Sequence, residues 1–362
     1  MQIFGSPPAF DLPIVAKTLT ESPLVVVDVG AAGGIQDIWR ENGATRYARY
    51  FGFEPNPQNF AELKDDEVTR YFQMALSDSV GPQEFFAHSV YPTNSSLRPP
   101  PSTPKDPADR HDVITVDVST IAQLRQEEVL PAVDVLKIDA ERNDYFVLEG
   151  AGDYLESEIL CVAAEVEYYQ IGDRNQFADI HKLMTGRGFL LFGVAVSLGT
   201  LGDVGGGDVL YLKDIGSILA SDDSDQRKWE RAVKLFTVAA IMHHHRYAYA
   251  IARAAEDAGI LGSEEARVLR KFVEDSLFLP FAFSPFLRSR RLAHLFSLLA
   301  QIIWGPKWGA KSAPRFSTLR SYRHLSLNRG FAPRAWARRH KAELDRHYGF
   351  YENSRGFHYK DF

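Results

Sequence analysis

The ten residues Val25–Gly34, VVVDVGAAGG, decide the fold. Val25, Val26 and Val27 form a β-branched run suited to a strand buried on both faces. Asp28 closes that strand, and Gly30, Gly33 and Gly34 follow at once. In an open α/β sheet, ligands sit in the crevice beyond the carboxyl ends of the strands. Glycines there let backbone amides approach a ligand with no Cβ in the way. The stretch predicts a nucleotide-like ligand held on the first turn.

The spacing narrows the ligand. A dinucleotide site takes G-x-G-x-x-G, with the middle glycine against a pyrophosphate. Here the pattern is D-x-G-x-x-G-G. A carboxylate at Asp28 repels a pyrophosphate and suits a cationic ligand with hydroxyls and an amine, which describes S-adenosyl-L-methionine. A second strand, in RYFGFEPNPQNF, ends in Glu54, 26 residues after Asp28, and its carboxylate suits both ribose hydroxyls. The plain alternative is a β-turn with a helix-capping acid.

At 362 residues the chain has room for a full α/β domain and more. Its 45% hydrophobic and 24% charged residues are ordinary for a globular protein. Cys161 is the only cysteine, which excludes an intrachain disulfide and fits a reducing, cytoplasmic setting. The opening MQIFGSPPAFDLP lacks the basic and apolar regions of a signal peptide. The net charge of −6 is divided unevenly: residues 1–220 sum to −17 and residues 221–362 to +11. No acid occurs from Ser276 to Ala342, a stretch holding 13 Lys and Arg. Such asymmetry marks different partners for the two parts.

Strand and helix signals alternate through the first 213 residues. Helices are expected from about Ile35 into Asn42, over Pro57–Leu63 with Asn56 as N-cap, and over Ser119–Gln126, Arg142–Ala151 and Phe177–Thr185. Strands are expected at Tyr50–Glu54, Thr69–Leu76, Gln83–His88, Val113–Val118, Val133–Ile138, Ile159–Val166, Phe189–Val194 and Val209–Lys213. The last two form a hairpin through the glycines of residues 199–207. The Pro- and Ser-rich stretch Tyr91–Asp109 reads as a loop near the site. This pattern predicts a Rossmann-like α/β fold, mostly parallel with an antiparallel terminal hairpin. Beyond a boundary near residue 218 strand signals stop, and helices are expected over Trp229–Gly259 and Glu264–Leu279. The chain thus divides into 1–218 and a mainly helical, basic 219–362.

VDVGAAGG, FGFEPNPQNF, MALSD, NSSL and VDVLKIDAERNDYFVLEGA, in this order and spacing, resemble the FkbM-type methyltransferases. The resemblance covers about Leu24 to Lys213. It implies a class I methyltransferase fold and S-adenosylmethionine-dependent O-methylation of hydroxyls, often on sugars or polyketides. It further implies that Asp28, Gly30 and Gly33 contact the methionine part of the cofactor and that Glu54 holds the ribose. Ala75, Ser77 and Asp78 would border the adenine, with Asp78 toward its amine. Lys137, Asp139 and Glu141 match the K-x-D-x-E run that faces the reaction centre. Where the family continues with glycine and an acid, this chain has Arg142, Asn143 and Asp144.

A sugar hydroxyl is a poor nucleophile at neutral pH, so a base is expected, with Asp139 and Glu141 as candidates and Glu165 as a third. Simple helix capping by Asp139, and pairing of Glu141 with Lys137 or Arg142, are the competing readings. The three carboxylates also have the chemistry for Mg²⁺, but no metal is assigned. Asn94, Ser95 and Ser96 are candidate acceptor ligands or ordinary turn residues. His243, His244 and His245, read as lying along one helix, point about 100° apart and cannot converge on an ion. Arg290–Trp308 is too short to span a bilayer; it suits either a buried helix or one lying on an anionic membrane, with the basic run continuing to Lys341. No nucleic-acid partner is expected. A glycan or similar polyol is the expected acceptor. A non-catalytic binding module on the same fold and a nicotinamide oxidoreductase are the alternatives.

Overall fold

The computed structural model describes residues 9–36, 38, 44–100, 110–168, 177–198 and 204–278. The helix expected from Ile35 into Asn42 and the basic segment 290–341 lie largely or wholly outside the described residues. The strands are β1 (Leu24–Val29), β2 (Ala48–Phe53), β3 (Thr69–Phe72), β4 (Ala75–Leu76), β5 (Gly81–His88), β6 (His111–Ser119), β7 (Val135–Ile138), β8 (Cys161–Glu167), β9 (Phe189–Leu198) and β10 (Val204–Lys213). The helices are α1 (Pro13–Glu21), α2 (Pro57–Phe60), α3 (Ile121–Gln126), α4 (Asp144–Gly150), α5 (Tyr154–Ser157), α6 (Phe177–Gly186), α7 (Ile215–Leu219), α8 (Asp225–Ile241), α9 (His245–Asp257) and α10 (Ser263–Phe278).

Seven strands form the central sheet in the order β3-β2-β1-β7-β8-β10-β9. β1, β2, β3, β7 and β8 are mutually parallel, and β10 runs antiparallel to both β8 and β9. This is the mostly parallel, Rossmann-like sheet with a terminal hairpin that the alternation implies. The chain leaves β1 toward β2 on one side and returns to β7 on the other. The crevice therefore opens at the ends of β1, β2 and β7, where Asp28, Glu54 and Asp139 stand.

Alternate residues of β1 serve two cores. Val25, Val27 and Val29 pack with Leu136, Ile138 and the helices α4 and α5. Leu24 and Val26 face the other side, against α1 and helices α8 to α10. The expected boundary near residue 218 falls at the end of α7, and among the described residues the helices α8 to α10 beyond it form a layer on this same sheet. A buried ion pair fastens that layer. Lys234 Nζ donates to Asp134 Oδ2 at 3.0 Å and to the Pro23 carbonyl at 3.3 Å, while Asp134 accepts the Val25 amide at 2.9 Å. Burial holds the Asp134 carboxyl above its ordinary range even so, because desolvation outweighs the lysine.

Three local readings are corrected. The expected strand Thr69–Leu76 divides at Gln73-Met74: β3 stays in the central sheet, whereas β4 pairs with β6 in a separate three-stranded sheet ordered β4-β6-β5. The helix expected from Arg142 starts at Asp144, because Glu141 and Arg142 have φ of +49° and +72°. The helix expected over Trp229–Gly259 breaks at His243, whose φ is +60°. His243 and His244 thus lie in the turn between α8 and α9, and His245 opens α9. They do not converge: the His243 and His245 rings lie 5.9 Å apart, and His244 packs on Phe192. Burial pushes His244 and His245 down to about 4, so both are neutral at physiological pH.

Candidate active site

The turn after β1 is built by glycines and held by a lysine. Gly30 and Ala31 both donate their amides to the Phe53 carbonyl, at 3.0 and 3.1 Å, which joins the turn to the end of β2. Gly30 has φ +78°, and a Cβ there would lie 1.9 Å from the Asp139 carbonyl oxygen. Only glycine permits this approach of the β1 and β7 ends. Lys137 Nζ donates to the Gly30 carbonyl at 3.0 Å and pairs with Asp28 at 3.0 Å and with Asp139 at 3.5 Å. The lysine that the sequence grouped with the reaction centre is thus engaged by the turn. Burial raises the Asp28 carboxyl, and Lys137 opposes that shift.

Glu54 ends β2, buried on the floor of a cavity of about 420 Å³. Its Oε1 accepts the Asn56 amide at 2.8 Å. Burial raises its carboxyl, while the Asn56 and Ala32 amides, the Asn59 side chain and Lys137 pull it back. Asn56 caps α2 by accepting the Gln58 amide at 2.9 Å, as the sequence implies. Its side-chain nitrogen also reaches the Pro92 carbonyl and Ser95 Oγ. The loop 92–99 is thereby drawn across the cavity, which Pro92, Thr93, Ser95 and Leu97 line.

At the other end stand the carboxylates. Asp139, Glu141 and Glu165 each offer an oxygen within 4.8 Å of the others, from the ends of β7 and β8. Asp139 is exposed at the mouth, its side chain 53% accessible. Burial and Asp139 push Glu141 up to about 7, and Arg142 lowers it in part. Burial and the surrounding acids push Glu165 up to about 9. Fully buried Asp144, which accepts the Ala140 amide, rises to about 7 for the same reasons. Such a group can share and accept protons near neutral pH, and its oxygens suit a hard divalent cation.

The cavity brings together Asp28, Gly30, Glu54, Ala75, Lys137, Asp139, Glu141 and Glu165. Gly33 and Asp78 are solvent-exposed and do not line it, and Ser77 is buried behind it, its Oγ donating to Asp78 at 3.1 Å. Of the Asn94–Ser96 group only Ser95 lines the cavity; Ser96 Oγ donates to the Glu141 carbonyl at 2.5 Å. Asn143, which the sequence marks only as a departure from the family run, also lines the cavity. Its Oδ1 accepts from the Arg98 guanidinium at 2.8 and 2.9 Å, and its Nδ2 donates to the Leu76 carbonyl. Phe85 and Leu97, which supply apolar wall, come from the second sheet and the loop and are invisible to a motif search.

Residues 28–191 match the family profile described as methyltransferase FkbM domain. This stretch resembles a methyltransferase FkbM domain. The match begins at Asp28 itself and ends in β9. No curated protein matches the chain. Among solved structures, the methyltransferase FkbM from Methylobacillus flagellatus KT is similar at 14% identity and a TM-score of 0.30, over 52% of this chain and 43% of that one. The chain therefore spans less than half the length of that structure. Precorrin-6y C5,15-methyltransferase from Geobacter metallireducens GS-15 gives 12% identity and a TM-score of 0.30, covering 55% of this chain and 87% of that one. The magnesium protoporphyrin IX methyltransferase of Synechocystis PCC 6803, solved with SAM bound, gives 10% and 0.30, covering 56% and 76%. The likeness to the FkbM domain rests on the sequence match. No helix of the described residues is long and apolar enough to cross a membrane.

Proposed function

We propose that the FkbM domain binds S-adenosylmethionine along the floor of the cavity and methylates a hydroxyl of a glycan or similar polyol at its carboxylate end. The observation that carries the reading is that one cavity is lined both by Glu54, at the end of β2, and by Asp139, Glu141 and Glu165, from the ends of β7 and β8 on the other side of β1. The donor set fits the cofactor: Glu54 supplies a carboxylate for a ribose diol, and the Gly30 turn with Asp28 suits an amino-acid moiety. When bound, S-adenosylmethionine supplies a methyl group already activated on a sulfonium. The chain's own residues then align the acceptor and take its proton. Asp139, open to solvent at the mouth, accepts the hydroxyl proton. Glu141, held up by burial and by Asp139, receives or shares it, whereas Glu165 is already protonated at neutral pH. Alignment contributes roughly 7–11 kcal/mol in reactions of this kind, and a placed base about 10²–10⁴-fold.

The test is calorimetry on the full chain with S-adenosylmethionine and with NAD, followed by assay of S-adenosylhomocysteine release on acceptor extracts. Binding of S-adenosylmethionine that is weakened by Glu54→Ala supports the reading, and binding of NAD alone overturns it. Asp139→Asn is expected to keep cofactor affinity and to lower kcat by about 10²–10⁴-fold. A wild-type kcat in that variant removes Asp139 as the base.

A further inference from the structure

We infer that Arg142 is a positioning residue that locks the loop 92–99 over the proposed cofactor cavity. The inference rests on the reading of that cavity given above. Glu141 and Arg142 are consecutive residues in the left-handed region, with φ of +49° and +72°. Side chains with a Cβ rarely adopt it, and it persists where surrounding contacts over-determine it. Three hydrogen bonds tie this pair to the loop. Arg142 Nη1 donates to the Pro99 carbonyl at 2.7 Å and Nη2 to the Arg98 carbonyl at 3.1 Å, so one planar fork grips two successive carbonyls. Ser96 Oγ donates to the Glu141 carbonyl from the loop side. The far end of the loop is held by Asn56 and Asn59, both donating to the Pro92 carbonyl. The loop is thus clamped at both ends of the cavity, beside Glu54 at one and beside the carboxylates at the other.

Glycine suits the backbone at 142 but has no fork. Arginine accepts an unfavourable conformation and gains the grip. This separates a positioning role from a structural one, because the two predict opposite effects of Arg142→Gly. If the side chain only supports the fold, its loss lowers the melting temperature and leaves ligand kinetics alone. If it locks the loop, melting is unchanged or raised while ligand release quickens.

The test uses full-length wild type, Arg142→Gly, Arg142→Lys and Arg142→Asn. Asparagine tolerates left-handed backbone but cannot reach the loop, so it stands in if the glycine variant folds poorly. Stopped-flow binding of S-adenosylhomocysteine and hydrogen exchange of peptides over residues 93–98 are measured in each. The expected result is release faster on the order of ten-fold in the Gly and Asn variants, a change equal to about 1.4 kcal/mol. Exchange in the loop is expected to quicken even without ligand, and Arg142→Lys, a single ammonium without the fork, to restore only part of both. Wild-type release and wild-type loop exchange in the Gly and Asn variants would overturn the inference. If wild type itself does not bind S-adenosylhomocysteine, the functional reading fails, and unliganded loop exchange still decides whether Arg142 holds the loop.

Discussion

Gly30→Ala and Gly33→Ala form a matched pair that tests how the cofactor turn is built. Both glycines have positive φ, +78° and +81°. Each alanine therefore meets the left-handed penalty of roughly 1–2 kcal/mol, offset by about 0.4–1 kcal/mol from the stiffer unfolded chain. Gly33 has nothing within 4 Å of an added Cβ, so its variant is expected to lose only about 1 kcal/mol or less. At Gly30 the added Cβ lies 1.9 Å from the Asp139 carbonyl oxygen, and both partners are backbone. The β1 and β7 ends must part by more than 1 Å to reach ordinary contact. Over-packing of this kind costs about 1–3 kcal/mol. It also stretches the Gly30 amide bond to Phe53 and the Lys137 bond to the Gly30 carbonyl, at about 1 kcal/mol each. Together the Gly30 variant is expected to lose roughly 3–5 kcal/mol. Urea midpoints of the two full-length variants, read by circular dichroism, measure the difference. Equal midpoints would refute the close approach of the two strand ends.

Three further outcomes follow from the charges. Glu141, Asp144 and Glu165 have folded-state pKa values of about 7, 7 and 9, all above their ordinary range. The folded state therefore binds more protons than the unfolded chain, and the stability these groups contribute is lost as pH rises toward 9. Melting temperature is expected to fall between pH 6 and 9, and Glu165→Gln to flatten the part above pH 7; a rise over that range would contradict the burial of these acids. Lys137→Met leaves Asp28 without its ion-pair partner and is expected to destabilise by about 3 kcal/mol at pH 7, less at pH 5, by denaturant titration. Lys234→Met is expected to lose about 3–5 kcal/mol, and the double variant with Asp134→Leu much less, because breaking a buried pair costs more than replacing it.

What the sequence made legible was local. The valine run, the glycine turn and the acid closing each strand are set by residues within one element, and Asn56 announces its own cap. The mostly parallel sheet with its terminal hairpin follows from the alternation, while the strand order needed the structure. The division of Thr69–Leu76 between two sheets is not local: Leu76 is buried by α3 and α4, and Ala75 pairs with Val118, more than forty residues away. The histidine turn was hidden because His243 to His245 carry no glycine or proline to mark a break. The left-handed backbone at Glu141 and Arg142 was hidden for the same reason, and the loop contacts that hold it come from residues 96–99. The candidate site was thus legible as a set of acids and glycines, while the assignment of Lys137 to the turn and of Asn143 to the wall needed tertiary geometry.

The two-sided burial of β1 bears on how this protein can be cut. The stretch that matches the family ends at Leu191, before β10 and before α8 to α10. Those helices and α1 together cover one whole face of the sheet, with Val26, Val135, Cys161 and Leu212 beneath them. A chain ended at 191 or 218 would present that face to water as a continuous apolar surface, with the Asp134 carboxylate stripped of Lys234. The stretch that carries the family likeness is therefore shorter than the unit that folds. Any transplant or fusion of the matched stretch must take both flanks with it, or it will carry an exposed apolar face into an aggregate.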